Sequence, residues 1–335
     1  MTGHGVDGTP SVTLLRDRLA SGALDALALV DSYIKRIEAR EPQVGAWAWF
    51  DPEFARAQAR TLDAHRRAGR PLGRLHGLPV ALKDVIDTQR IPTENGCVQD
   101  AGRVPLRDAF VVERLRKEGA ILMGKTVTTE LAFMQPGKTA NPHNLAHTPG
   151  GSSQGSAAAV ADGMVPLAIG SQTAASTIRP AAYCGIVGFK PTIGLISLAG
   201  VKALANSLDH VGVFATDVTG SGLLAGALSG RTELMTPTAL KTPPRLALVM
   251  SPEWESASQA SREAVQRAAD LAIGHGADVR TFDAPPLFAG LAEIQTTIMA
   301  YEAARELAHE RRCHFDRLSQ PLRDLLTQGK SISAT

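Results

Sequence analysis

The stretch from Thr148 to Thr192 constrains the fold more than any other part of the 335-residue chain. Two runs of glycine and small hydroxyl residues, Gly150-Gly151-Ser152-Ser153-Gln154-Gly155-Ser156 and Gly170-Ser171-Gln172-Thr173-Ala174-Ala175-Ser176, flank an apolar segment from Ala157 to Ile169. The spacing predicts a loop, a helix and a strand, then a second loop. Residues with little or no side chain leave the backbone amides uncovered, so such runs can build an anion or oxyanion site. Gly and Ser also cluster in ordinary surface loops. A solvated loop carries more charge than this one, however, since only Asp162, Arg179 and Lys190 are charged between Gly150 and Pro191.

Around this stretch, helical and strand-like patterns alternate. Apolar residues at Leu27, Val30, Ile34 and Ile37 follow helical spacing within Ser11 to Arg40, Ser21-Gly22 splits that segment into two helices, and Pro42 is expected to end it. An Ala/Arg-rich helix over 52–68 completes an N-terminal helical arm, placed at about 11–68. Pro79-Val80-Ala81-Leu82-Lys83 reads as a short buried strand with the lysine at its end. A helix over about 108–118 leads to the apolar run Ala120-Ile121-Leu122-Met123, and the alternation returns at 245–250, 261–273 and 278–282. This order predicts an α/β fold with a sheet covered by helices on both faces. With 44% hydrophobic and 20% charged residues the chain can bury a large core, and it is expected to form one domain, with the core of the site at 75–192 and a later α/β part at 245–335.

Charge and cysteines narrow the function class. A net charge of +2 without a basic block or a basic-aromatic stripe gives no case for nucleic acid or an anionic membrane surface. Cys97, Cys184 and Cys313 are widely spaced and form no CxxC pair, which fits free thiols in a reducing compartment. Residues 1–11 lack a basic-then-apolar leader pattern, and no run of 18 apolar residues occurs, so a cytoplasmic location is expected.

Three motifs compete with the glycine-serine runs. Gly119-Ala120-Ile121-Leu122-Met123-Gly124-Lys125-Thr126 fits the phosphate-loop pattern, but a charged helical stretch precedes it and strand-like residues fill its loop positions. Gly151-Ser152-Ser153-Gln154-Gly155 fits the nucleophile-elbow pattern, but Pro149-Gly150 stands where a strand is required and no later histidine is singled out as a base. His143 and His147 could share a helix face, but Pro142 and Thr148-Pro149-Gly150 point to a loop, and no third metal ligand is evident. Lys83 is different: desolvation at the end of an apolar strand lowers a lysine pKa and makes it a base able to activate a serine. Taken alone it reads as a strand-end lysine paired with Asp84; beside the two serine runs it does not.

The two runs, the segment Gly77-Leu78-Pro79-Val80-Ala81-Leu82-Lys83-Asp84 and the closing Cys184-Gly185-Ile186-Val187-Gly188-Phe189-Lys190-Pro191-Thr192 together resemble the amidase signature family of serine hydrolases. The similarity runs in order from about Leu14 to Arg311. It implies the amidase signature fold, with a mixed β-sheet core, and a Ser-Ser-Lys triad: Ser176 as nucleophile, Ser152 as the serine relaying its proton, and Lys83 as base. It also implies a cis peptide after Gly151, an oxyanion hole from the backbone N–H groups of Thr173, Ala174, Ala175 and Ser176, and support from Ser171 and Ser153. The chain departs from the family pattern at Ala174 and Ala175, where glycines are common and a Cβ could narrow the loop or forbid a positive φ. Gln172 stands where many members carry Asp, and Arg179 lies three residues after the nucleophile instead of two, as in a subgroup of GSQT…S-x-I-R-P texture. Members usually continue past the position of Thr335, which implies core strands missing at this end.

The expected function is hydrolysis of a small-molecule amide through a seryl acyl-enzyme, without metal or organic cofactor. Its alternatives are the transamidating subunit of a tRNA-dependent amidotransferase complex and a weakly active homologue. The helical arm implies a homodimer, because in the family it sometimes packs against another copy of the chain. Arg179, in a nearly charge-free segment, is expected to be buried with an anionic partner, either a protein carboxylate or a carboxylate on the substrate.

Overall fold

The computed structural model describes residues 10–236 and 240–333. Most of the residues that bear on the leader pattern, 1–9, lie outside this range. The chain divides into two compact units, residues 1–237 with 299–335, and residues 238–298. The later part expected at 245–335 is therefore cut, and its last segment belongs with the first unit.

In chain order the helices are α1 (Val12–Ser21), α2 (Ala26–Val44), α3 (Pro52–Arg67), α4 (Phe110–Lys117), α5 (Gln154–Ala161), α6 (Ile178–Tyr183), α7 (Val218–Ser229), α8 (Gln259–Gly274), α9 (Leu291–Glu306), α10 (Ala308–Cys313) and α11 (Gln320–Ser331). The strands are β1 (Trp47–Phe50), β2 (Pro79–Lys83), β3 (Ile121–Thr126), β4 (Leu167–Gln172), β5 (Val187–Phe189), β6 (His210–Ala215), β7 (Arg245–Met250) and β8 (Asp278–Asp283). Local chemistry sets the helix ends. Ser11 caps α1 by accepting from Leu14 N, and Gly22 closes it in the left-handed conformation. Asp51 caps α3 ahead of Pro52, the favoured first residue of a helix. Pro42 does not end α2. It sits in the last turn, where its missing N–H removes a single bond, and the helix runs on to Val44 before Gly45 closes it at φ +62°.

The first unit is built on a six-stranded mixed sheet of order β1-β3-β2-β4-β6-β5. β2 runs parallel to both β3 and β4, while β1 is antiparallel to β3, and β6 is antiparallel to β4 and β5. Every residue of β2, β3 and β4 is buried. Since successive side chains of a strand point to opposite faces, these three strands are covered on both sides. α5 packs on β2, β3, β4 and β6, and α7 on β4, β5 and β6. A smaller apolar cluster joins Leu131 and Leu204 to Ala300, Ala303, Leu307, Leu322 and Leu326. The second unit holds β7, α8 and β8, two parallel strands joined through a helix. No helix among the described residues is long and apolar enough to cross a membrane.

Candidate active site

Lys83 ends β2 with its side chain fully buried. Its Nζ donates to Ser152 Oγ at 2.6 Å and to Ser171 Oγ at 2.9 Å. The pairing of β2 with β4 makes this possible: Leu82 lies opposite Ile169, so Ser171, two residues further along, comes level with the tip of the lysine. Burial pushes the Lys83 pKa down to about 7, and the Asp209 carboxylate pulls it weakly the other way. The Gly151–Ser152 peptide is cis, as the resemblance implies. Ser153 ties the two small-residue runs together. Its N–H donates to Ser176 O at 3.3 Å, and its Oγ donates to Ser171 O at 3.1 Å while accepting from Ser171 N at 3.3 Å.

The second run leaves β4 as a loop and re-enters helix at α6. Gln172 holds that loop at both ends: its Oε1 accepts from Thr177 N and Ile178 N, at the start of α6, and its Nε2 donates to Ala174 O at 3.0 Å. Between these anchors, the amides of Thr173, Ala174, Ala175 and Ser176 have no acceptor among the described residues. Adjacent backbone N–H groups without an intramolecular acceptor can donate to an anion. Neither alanine has a positive φ, so the Cβ atoms fit the backbone of this loop without strain. Thr173 Oγ1 donates to Asp209 Oδ1, and Asp209 Oδ2 accepts from Leu204 N and Ala205 N. Burial raises the Asp209 pKa, and these hydrogen bonds oppose the rise.

Ser152 and Ser176, both buried, line one cavity of about 220 Å³ together with Thr173, Ala174, Gln154 and Arg179. Its lining also includes the apolar residues Ala132, Phe133, Met134, Pro136, Leu204 and Met299. Arg179 is exposed, and among the described residues its guanidinium has no carboxylate partner. Its expected burial beside a protein carboxylate is thus corrected. Arg179 is the second residue of the short helix α6, at the cavity edge, where a charge keeps its water.

Residues 28–330 match the Amidase family. The chain belongs to this family. Among curated relatives of this amidase-family chain, a subunit of the glutamyl-tRNA(Gln) amidotransferase of Synechococcus sp. (strain CC9902) is 41% identical over 228 residues, covering 66% of the chain and 46% of the relative. The protein of the same name from Picosynechococcus sp. (strain ATCC 27264 / PCC 7002 / PR-6) is 35% identical over 303 residues, covering 84% and 62%. The chain spans about half the length of the curated relatives it matches. Among solved structures, one described as an amidase superposes with a TM-score of 0.87 at 31% identity, over 96% of this chain and 74% of the other. The peptide amidase from Stenotrophomonas maltophilia gives 0.83 at 28%, over 96% and 75%. A mixed α/β fold with a sheet flanked by helices is common to these structures.

The competing motifs of this amidase-family chain have structural explanations. The phosphate-loop pattern is strand β3: Gly124, at φ +154°, would bring a Cβ within 2.4 Å of Trp49 O, and Lys125 is buried, donating to Ile86 O and Thr93 Oγ1 and paired with Asp84 at 3.3 Å. Gly155 of the elbow pattern lies in α5, where a Cβ would come within 2.3 Å of Ala46 O. His143 and His147 sit in a loop, and His143 Nε2 is 2.9 Å from Cys184 O. Among the described residues no group of three His, Cys, Asp or Glu side chains could hold a metal ion. Two features escaped the sequence. Asp209 reaches the second run through the β4–β6 pairing, and Leu131 and Ala132 take left-handed conformations, φ +46° and +61°, in the segment that lends the cavity apolar lining.

Proposed function

We propose that this chain hydrolyses a small-molecule amide through a seryl acyl-enzyme, with Ser176 as nucleophile, Ser152 as relay and Lys83 as base. One observation carries the reading: a fully buried lysine with a pKa near 7 hydrogen-bonds a serine whose side chain opens into the same cavity as Ser176. At neutral pH a large share of Lys83 is the free amine. That amine takes the Ser152 hydroxyl proton as Ser152 takes the proton of Ser176, and Ser176 Oγ bonds to the amide carbon. The free amides of 173–176 stabilise the negative oxygen. The proton then returns through Ser152 to the leaving nitrogen, the C–N bond breaks, and ammonia or an amine departs. Water attacks the ester by the same route, breaks the C–Oγ bond and restores Ser176.

The test is release of ammonia or amine from a panel of simple amides by the purified chain, without ATP or other proteins. Ser176→Ala and Lys83→Ala are each expected to abolish turnover while the fold is kept, and the double variant to be no worse than either. Additive losses would remove the shared mechanism. Ser152→Ala is expected to lose most, but not all, activity. The likeness to a glutamyl-tRNA(Gln) amidotransferase component supports a second reading, in which the same site delivers ammonia to a partner-bound substrate. Turnover that appears only when such partner proteins are added would favour it.

A further inference from the structure

Asp209 is buried and stands immediately before β6, where the register of β4 with β6, Gln172 opposite His210, brings it level with Thr173. Its two oxygens serve three donors from two stretches of chain. Oδ1 accepts from Thr173 Oγ1, while Oδ2 accepts from Leu204 N at 2.8 Å and Ala205 N at 3.1 Å. Thr173 opens the row of free amides at 173–176, and Leu204 lines the same cavity as Ser176. One carboxylate thus ties the amide loop to another part of the cavity lining.

A neutral acceptor would suffice for the turn at 204–205 alone. The charge of Asp209 has a counterpart elsewhere. Of the elements packed against β2, α5 and β4 carry no charged residue, and β3 carries only Lys125, which Asp84 holds at 3.3 Å. Asp209 is the carboxylate whose charge acts on Lys83. It opposes the effect of burial there, and it favours the ammonium that forms on Lys83 when a serine proton arrives.

We propose that Asp209 is a positioning residue for the amide hydrolysis: through Thr173 it fixes the aim of the amides at 173–176, it anchors that loop to the 204–205 segment, and its charge steadies the protonated Lys83. The inference rests on the seryl acyl-enzyme reading. A donor aimed off the developing negative oxygen loses much of its effect on the transition state while the bound amide loses little, so the cost falls on kcat.

The experiment compares kcat, KM and pH profiles of three variants with the parent, each checked for fold by circular dichroism and Tm. Thr173→Val keeps the side-chain shape and removes the hydroxyl. Its kcat is expected to fall about tenfold or more, with KM within about twofold of the parent. Thr173→Ser restores the hydroxyl and is expected to return kcat to within about threefold of the parent. Asp209→Asn is expected to lower kcat and to move the acid limb of kcat/KM to lower pH, because without the carboxylate Lys83 gives up its proton more readily. Parental kcat in Thr173→Val, a Thr173→Ser as impaired as Thr173→Val, or an acid limb unmoved by Asp209→Asn would each overturn the proposal. If Asp209→Asn does not fold, the two threonine variants still decide. A parent that releases no ammonia or amine would instead sink the hydrolase reading; NMR titration of Lys83 in the parent and in Asp209→Asn then decides the role of Asp209, an unchanged Lys83 titration overturning it.

Discussion

Lys83 shows at a single residue what burying a lysine costs the fold. Its pKa is about 7 in the folded chain against 10.5 in the unfolded one, with burial as the cause. Between those values the unfolded state binds the extra proton, so stability rises with pH; below about 7 both states are protonated and the penalty stays at its full size. Lys83→Met removes the penalty. It is expected to raise stability by up to roughly 4 kcal/mol at pH 7.5, less the two lost hydrogen bonds, while abolishing activity. The gain is expected to shrink as pH approaches 10, and urea melts at both pH values measure it. A variant less stable than the parent at pH 7.5 would show that Lys83 is held by interactions stronger than its desolvation. Arg179 makes the opposite case, a charge that keeps its water at the cavity edge and has no carboxylate partner among the described residues. If it grips a carboxylate on the substrate, the flat fork matters as much as the charge. Arg179→Lys is then expected to raise KM about tenfold for acidic amides and little for neutral ones. Equal effects on both classes would make Arg179 a bystander.

Among the elements, β3 is the one whose sequence misleads most. Its eight-residue pattern matches a phosphate loop, yet the structure threads it between β1 and β2 and buries Lys125 against Asp84. Burial pushes Lys125 down to about 8 and raises the Asp84 pKa, each opposed by the charge of the other. Breaking a buried pair leaves an uncompensated charge, so Lys125→Ala is expected to destabilise the chain by about 3–5 kcal/mol, read as a fall in Tm at pH 7.5. A phosphate loop predicts the contrary, an intact fold that loses affinity for ATP. The glycine-serine stretch was more faithful to its sequence. Its loop, helix, strand and second loop appear as expected, because capping, helix and strand patterns there are local. The Lys83–Ser171 and Thr173–Asp209 contacts were not legible as contacts, since they depend on how β2 and β6 align with β4. The sheet register is a property of the whole core, and no local pattern of residues states it.

On the scale of the molecule, the sequence conveyed the α/β class, because buried strands leave compositional marks, whereas Lys83, Ser152 and Ser176 were singled out by the family resemblance. The sequence did not convey the cut at residues 238–298, because the pattern of strand and helix continues across that boundary unchanged. Burial separates what pattern does not. β2, β3 and β4 are buried at every residue, whereas β7 and β8 read as apolar strands but are mostly exposed: Leu246, Val249 and Phe282 are 43%, 42% and 51% accessible. Local opening is governed by how much packed surface must be disrupted, so the two sheets are expected to exchange amide hydrogens very differently. In native-state exchange followed by mass spectrometry, peptides covering 79–83, 121–126 and 167–172 should be the slowest, opening only with global unfolding. Peptides covering 245–250 and 278–283 should exchange faster by roughly tenfold or more and respond weakly to urea, as local openings do. Equal protection in the two sets would mean that the second unit opens only when the first does, and that the chain unfolds as one cooperative body.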